Sequence, residues 1–456
     1  MLHKLVEWPA SGLDALTYCG FALERLLRRN RSTPGPHRAL VTVCRSFPIY
    51  SQTFVYRELT QLTRSGFDLR LLYSKREPRS HLHHEFEALW QAKRRDNLNR
   101  WSGGYALEHY RRRMPDKVAR LIGLLSEASG MDTDALLGHK HFRQAFAFTR
   151  LVEAWGPDYL HSYFFYERSL MALVASYLLG IPRGITCYID HMLQDYELKV
   201  VPLHLKLCDL ILATSERVRR ELRRIAPDAE PSRILLKPNA IATSLFPVSD
   251  RADPTPADPF RIVCVSRIEP KKGLLGAADA MATLRARGIP VHLHLVGQAD
   301  ETESSRQYER ALRRRLVELE IEGSVRLHGR QDLDGVRRLL AAANLFIAPF
   351  VELDNGDKDG IPTALLEAMA TGLPAIVTDA GSILEVVENG RDGIVVPQND
   401  PQALADAIQD LVEDPERRRR LGGHAAEKVR RRFDVKVCEK AFHERVGRLV
   451  AARRRP

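Results

Sequence analysis

Asp359 and Glu367 stand eight residues apart in Asp359-Gly360-Ile361-Pro362-Thr363-Ala364-Leu365-Leu366-Glu367, a carboxylate, a Gly-x-Pro break and an apolar helical opening that carries a second carboxylate. Gly360 permits a tight turn, Pro362 presets the φ of a first helical residue, and the N–H groups that follow can take a phosphate. The spacing sets Asp359 at the mouth of such an anion site and Glu367 about two turns inside the helix. This suits a nucleotide-sugar. Asp359 would accept from sugar hydroxyls, Gly360, Ile361, Pro362 and Thr363 would frame the diphosphate, and Glu367 would accept from ribose. An ordinary capped helix with a solvated Asp and Glu fits the same stretch.

Upstream, Phe260–Val265 reads as a buried strand, and Ser266-Arg267-Ile268-Glu269-Pro270-Lys271-Lys272-Gly273 as a polar turn into a helix over Leu274–Arg287. Arg267 and Lys272 flank this junction, where a planar guanidinium fork and a compact ammonium can meet a diphosphate from two sides. A basic surface loop in a basic protein is the alternative for either residue alone.

Together the two stretches resemble the family-4 retaining glycosyltransferases, exopolysaccharide or colanic-acid type members included, whose G-R-x4-K-G loop and E-x7-E segment lie in the C-terminal domain. The resemblance runs from about Phe260 to Phe433, and takes in Gly297, Phe350 and Thr378–Val386. It implies an α/β GT-B fold, two doubly wound Rossmann-like domains facing across a cleft. It also assigns Arg267 and Lys272 to the donor diphosphate, Asp359 to the transferred sugar and Glu367 to the ribose. Ser266 replaces the usual Gly, and Asp359 replaces the first Glu, a reach shorter by one methylene.

The N-terminal half carries a thinner signal. Phe47–Leu59 resembles the F-P-x-x-S-E-T-F loop of exopolysaccharide-type members, with Gln52 for Glu; Ser51 and Thr53 could serve the acceptor, or cap the helix that follows, or both. Relatives read T-x-H near the end of the fourth strand, and here Thr186-Cys187-Tyr188-Ile189-Asp190-His191 sets Tyr188 at the His position. His191, with Asp190, is then a substitute imidazole beside the sugar, or a structural or solvated loop residue. Pro238-Asn239-Ala240-Ile241-Ala242 departs from P-N-G-V-D.

The chain of 456 residues has 44% apolar residues, enough for two to three cored domains. Its six cysteines are scattered without C-x-x-C, which fits reduced core thiols in cytosol and neither a disulfide frame nor a zinc site. No apolar run reaches the roughly 18 to 20 residues that span a bilayer. The formal charge of +11, gathered in runs such as Lys93–Arg95, Arg111–Arg113, Arg417–Arg420 and Arg430–Arg432, suits an anionic membrane leaflet. Solvated helix faces explain such runs too, and that reading is favoured for Arg417–Arg420. Nucleic acid is disfavoured, since no helix-turn-helix, zinc finger or aromatic-interleaved strand accompanies the charge.

The organisation follows from these patterns. Residues 1–36 read as an accessory amphipathic helix over Leu13–Leu27, packed on the body or in contact with membrane. Residues 37–246 alternate strands (Ala39–Cys44, Leu69–Tyr73, Leu160-His161, Gly184–Tyr188, Leu210–Thr214, Ile234–Lys237) with helices, and about 80–129 form a helical insertion. The Pro/Asp-rich 247–259 is a linker, 260–413 a second alternating domain, and 414–456 a helical tail that the resemblance returns to the first domain. The whole points to a cytoplasmic, membrane-peripheral retaining enzyme that passes a sugar from a nucleotide-diphosphate-sugar to a glycan or lipid-linked acceptor, with no cofactor. The loop Asp354–Asp359 carries Gly and Lys among its acids, so no metal site is expected. A nucleotide-sugar epimerase, a sugar phosphorylase and a silent binding module remain as alternatives.

Overall fold

The structure is a computed structural model that describes residues 12–29, 36–42, 46–49, 52–79, 84–96, 98, 100–188, 198–249 and 259–453. Ser51, Asp190, His191, Cys44 and most of the 247–259 stretch lie outside the described residues. The chain divides into two compact units, one of residues 1–237 with 439–456 and one of residues 238–438.

The first unit is built on β1 (Arg38–Thr42), β3 (Asp68–Tyr73), β5 (Lys93–Arg95), β6 (Tyr159–Tyr163), β7 (Arg183–Cys187), β8 (Leu210–Ala213) and β9 (Ile234–Leu236), while β2 (Ser46–Phe47) and β4 (Lys75–Arg76) pair apart. Their order β5-β3-β1-β6-β7-β8-β9 is parallel throughout and reverses direction between β1 and β6, the doubly wound arrangement. Such strands are apolar on both faces because both are covered: Leu40 and Leu160 enter one core with Phe146 and Leu173, whereas Ala39, Val41 and Leu71 enter another with Val55 and Leu59.

Within 80–129, helices occupy Glu87–Ala92, Arg100–Arg113 and Pro115–Ser129, but Lys93–Arg95 is the edge strand β5, in register with Leu71–Tyr73. Three consecutive cations carry no alternation to mark a strand. At a sheet edge, charge is what keeps a strand from pairing further.

The helix Gly12–Arg29 packs on this unit. Phe21 is buried 6.0 Å from the Trp155 ring, Glu24 pairs with Arg70 and Arg94 at 2.8 Å each, and Arg25 donates to the Glu153 carbonyl. Leu16, Leu23 and Leu27, at 71, 56 and 61% exposure, form a stripe on its outer side. No helix among the described residues is long and apolar enough to cross a membrane.

The second unit contains β10 (Phe260–Val265), β11 (Val291–Val296), β12 (Val325–Leu327), β13 (Leu345–Ala348), β14 (Ala375–Thr378) and β15 (Ile394–Val396), parallel and ordered β12-β11-β10-β13-β14-β15. Its order reverses between β10 and β13, and the crevice beyond their carboxyl ends is where such sheets bind ligands. Helix Pro415–Arg432 packs on this unit through Leu421, Ala425 and Val429. Its Arg418 is not on a solvated face as the sequence suggested. The guanidinium is buried 5.1 Å from the Phe260 ring and donates to the Leu411 and Val412 carbonyls, at the end of helix Pro401–Glu413. Helix Val435–Arg453 follows, and from Glu439 onward it belongs to the first unit, where Phe442, Val446 and Val450 are buried in the core.

Candidate functional site

The crevice at the carboxyl ends of β10 and β13 gathers the cations and carboxylates picked out in the sequence. Beyond β10 the chain turns through Arg267 into a short 3-10 turn, Pro270–Lys272. Gly273 ends that turn at φ +60° with its Cα against Pro349; a Cβ there would lie 1.8 Å from the Pro349 carbonyl oxygen. Only glycine lets the two loops approach so closely. Gly381 does the same behind Asp359, whose carbonyl oxygen would meet its Cβ at 2.0 Å.

Lys272 Nζ hydrogen-bonds Asp359 Oδ2 and sits 4.2 Å above the Phe350 ring centroid. Arg267 is held by Glu269 at 2.8 Å and Asp300 at 3.2 Å. Burial opposes ionisation of Asp359, yet Lys272, Lys271 and Arg267 outweigh it and hold the carboxyl below the usual carboxylate range. Asp359 is therefore held as a carboxylate, paired with Lys272.

Gly360 and Ile361 lead into helix Thr363–Ala370, and Ile361 is fixed by a 2.8 Å bond from Asn239 Nδ2 to its carbonyl. Pro362 is the N-cap and not the first helical residue, so Glu367 is the fifth residue of the helix, little more than one turn in and shallower than the spacing implied. Pro362 with ψ 122° is extended, which shifts the start by one. The N–H groups of Thr363, Ala364 and Leu365 have no partner within the helix, and donors so placed at a helix N-terminus favour an anion. Glu367 is buried.

On the first unit, Thr53 opens helix Thr53–Arg64, but the N-cap is Gln52 and no side chain caps it, so Thr53 does not cap. Tyr188 is buried at the end of β7, its ring 4.4 Å from Phe54, its hydroxyl donating to Glu58 Oε2 at 3.4 Å. Burial pushes its phenol well above the usual range, and nearby Glu58 adds to this.

Glu58 belongs to a cluster that sequence reasoning missed. Its carboxylate accepts from Tyr163 at 2.7 Å and Thr186 at 3.1 Å, and pairs with Lys237 at 2.8 Å; Lys237 pairs also with Glu439 at 2.9 Å. Thr186, whose single proton goes to Glu58, accepts from His161 Nε2 at 2.8 Å, and His161 Nδ1 accepts from Tyr159. A signal was present. Glu58 lies on the apolar stripe Val55, Leu59, Leu62, and Glu439 on the stripe Phe442, Val446, Val450, positions where a charge must find a buried partner.

Among the described residues, no group of three or more His, Cys, Asp or Glu is placed to hold a metal ion.

Two Rossmann-like units, one with a cation and carboxylate crevice before a helix N-terminus, are the GT-B architecture, and relatives of this chain by sequence are glycosyltransferases. Residues 248–428 match the family model of glycosyl transferases group 1. The chain is 25% identical over 421 residues to WcaL of Salmonella typhimurium, named for colanic acid biosynthesis, covering 89% of this chain and 97% of that one. It is 34% identical over 147 residues to the amylovoran biosynthesis glycosyltransferase AmsK of Erwinia amylovora, 32% of this chain and 34% of that one. Among solved structures, Alr3699/HepE of Anabaena in complex with UDP superposes with a TM-score of 0.66 at 16% identity, over 90% of this chain and all of that one. The sucrose-phosphate synthase of Thermosynechococcus elongatus gives 0.68 at 18%, over 91% of this chain and all of that one. The resemblance read from Arg267, Lys272, Asp359 and Glu367 holds at the level of family and fold.

Proposed function

We propose that this chain is a retaining glycosyltransferase that moves a sugar from a nucleotide-diphosphate-sugar to a glycan or lipid-linked acceptor in surface or exopolysaccharide biosynthesis. The observation that carries it is the meeting of Arg267, Lys272, Asp359 and the N-terminus of helix Thr363–Ala370 at the switch point of the second unit. The names of the WcaL and AmsK relatives support the pathway class, and the UDP and UDP-glucose complexes of HepE support a nucleotide-sugar donor.

In this reading the bond from the anomeric carbon to the diphosphate oxygen breaks, the acceptor oxygen bonds on the same face, and the acceptor proton passes to the departing phosphate oxygen. No protein nucleophile is needed. Arg267, Lys272 and the helix end stabilise the leaving charge electrostatically, so the reaction is proposed to run without metal. Asp359 orients the sugar, Glu367 the ribose. The acceptor falls to the first unit, with Ser51, Thr53, Tyr188, Asp190 and His191 as its candidates. The exposed Leu16, Leu23 and Leu27 supply an apolar stripe for the cytoplasmic face of a membrane, where a lipid-linked acceptor would lie.

A thermal-shift panel of UDP-, GDP-, ADP- and dTDP-sugars identifies the donor, since a ligand that binds the folded state raises the midpoint. With that donor, Arg267→Ala and Lys272→Ala are each expected to lower turnover roughly 10²-fold or more, and excess EDTA to leave wild-type turnover unchanged. Wild-type turnover in both variants would sink the assignment. Loss in EDTA restored by Mg²⁺ would overturn metal independence alone.

A further inference from the structure

The donor crevice holds more charge than the diphosphate assignment uses. Three cations, Arg267, Lys271 and Lys272, are ringed by four carboxylates, Glu269, Asp300, Asp357 and Asp359. A site neutralised by its own carboxylates does not attract a diphosphate until one of them lets go. The question is which.

Lys271 Nζ lies 2.8 Å from Asp357 Oδ1 and 3.9 Å from Asp359 Oδ1. Its side chain is 7% exposed, so the ammonium is largely desolvated and gains from an anion beside it. Its backbone is pinned, the carbonyl accepting from Val351 N at 2.9 Å. Asp357 is the opposite kind of partner. Its side chain is 26% exposed, and it sits on a self-contained turn in which Leu353 N donates to the Asp357 carbonyl, Gly356 N to the Leu353 carbonyl, and Asp357 N to Asn355 Oδ1. The base of that turn is tied separately, by Lys358 to Glu352 at 3.0 Å and by Gly381 N to Glu352 Oε1 at 3.0 Å. Asp357 thus stands on a turn whose own hydrogen bonds are separate from those that tie its base. Asp359 is held by Lys272 through its side chain and by Ser382 N through its carbonyl.

Resting on the donor-site reading above, we propose that Lys271 is a third donor-binding cation and Asp357 its exchangeable counter-ion, which the incoming diphosphate displaces toward the hydroxyls of the transferred sugar. Lys271 trades one anion for another and is never left bare. Asp357 trades an ammonium for hydroxyl donors that only the sugar-bearing ligand brings, which makes it a residue that tells nucleotide-sugar from free nucleoside diphosphate.

Calorimetric titration with UDP and UDP-glucose, or with GDP and GDP-mannose if the thermal panel favours that pair, tests this. Lys271→Met is expected to weaken both ligands about tenfold or more, and Lys271→Arg to restore most of that, since a full charge in a desolvated site is lost and regained. Asp357→Asn is expected to bind the free diphosphate as tightly as wild type or several-fold tighter, with its competitor gone, while the preference for the sugar conjugate over the free diphosphate falls about fivefold or more. Equal weakening of both ligands in Asp357→Asn, or wild-type affinity for both, overturns the exchange; wild-type affinity in a folded Lys271→Met overturns the third cation. Should Lys271→Met not fold, Asp357→Asn decides alone. A wild type that binds no nucleoside diphosphate or nucleotide-sugar of the UDP, GDP, ADP and dTDP panel removes the donor-site reading, and this inference with it, an outcome distinct from the variant results.

Discussion

At the scale of single residues, the strongest commitment outside the donor crevice is the buried Glu58–Lys237–Glu439 triad. Burial pushes Glu439 up to about 7, with Lys237 opposing and Glu58 reinforcing the rise, while burial holds His443, 3.9 Å away, down to about 4. Burial would raise Glu58 as well, but Lys237 and His161 outweigh it and hold the carboxyl far below its usual range. The signs differ. Glu439, raised from 4.5, contributes stability that is full below pH 4.5 and lost as pH rises to about 7; His443, lowered from 6.5, contributes stability present above pH 6.5 and lost as pH falls to about 4. Between pH 4.5 and 6.5 these two oppose, while His204, which burial and Arg183 likewise hold well below its usual range, adds a rise of His443's sign, so the calorimetric midpoint of the first unit is expected to rise only modestly there. Glu439→Gln removes the Glu439 contribution and leaves the histidines, so its midpoint should climb across that window several degrees further than the wild type's, at about 2–4 °C per kcal/mol for a unit of this size. Superimposable profiles would dismiss the coupling. Little of this was legible beforehand: Lys237 ends an apolar strand and Glu58 rides an apolar helix face, but which buried charge meets which depends on contacts that span more than 100 residues of sequence. The positions of Arg267, Lys272 and Asp359 beside one another were more legible, since each lies on a short loop next to a strand end or helix start, whereas the depth of Glu367 was misjudged by the shift of the helix start past Pro362.

At the scale of elements, alternation and turn residues located β1, β3, β6, β7, β8 and β9 of the first sheet and β10 of the second to within a residue or two at each end, since a strand buried on both faces leaves a continuous apolar run. They failed at Lys93–Arg95, where tertiary pairing with β3 overrides a composition that looks like a solvated face. Helix Gly12–Arg29 shows what sequence leaves open. Its two readings were body packing and membrane contact, and the structure gives it a packed face through Phe21 and Glu24 and an outward stripe of Leu16, Leu23 and Leu27. A basic segment gains on the order of 1 kcal/mol per Lys or Arg near an anionic surface, and salt screens that gain, whereas leucine insertion is insensitive to salt. Wild type should therefore sediment with anionic vesicles at low salt and be released in large part at high salt. The triple change of Leu16, Leu23 and Leu27 to Ser should cut binding at both salt levels without lowering the thermal midpoint, because those side chains are exposed. Unchanged sedimentation of the triple variant would leave charge alone as the anchor, and equal behaviour on neutral vesicles would remove the membrane reading.

At the scale of the whole molecule, the two-unit organisation was legible from two strand and helix alternations, but the divisions fall between Lys237 and Pro238 and between Cys438 and Glu439, not at the Pro/Asp-rich 247–259. Composition marks a stretch that avoids regular structure, whereas unit membership is decided by which core a side chain enters. Ile241 and Phe246, ahead of that stretch, are buried in the second unit with Leu365 and Phe433. Phe442, Val446 and Val450 complete the first unit from the far end of the chain, beside Val41, Leu59 and Tyr163. At about 1.5–3 kcal/mol for each large apolar side chain buried, these three rival the roughly 5–15 kcal/mol that stabilises a domain, even allowing for residual burial in the unfolded chain. A chain ended at Cys438 also deprives Lys237 of Glu439. Its first unit is expected to melt far below the wild-type temperature or not to fold, while residues 238–438, whose core is complete, survive limited proteolysis as a fragment that a nucleoside diphosphate still stabilises. A single transition at the wild-type midpoint in the truncated chain would show that the last helix adds nothing to the first unit, and loss of nucleotide response in the resistant fragment would show that the donor site needs more than the second unit.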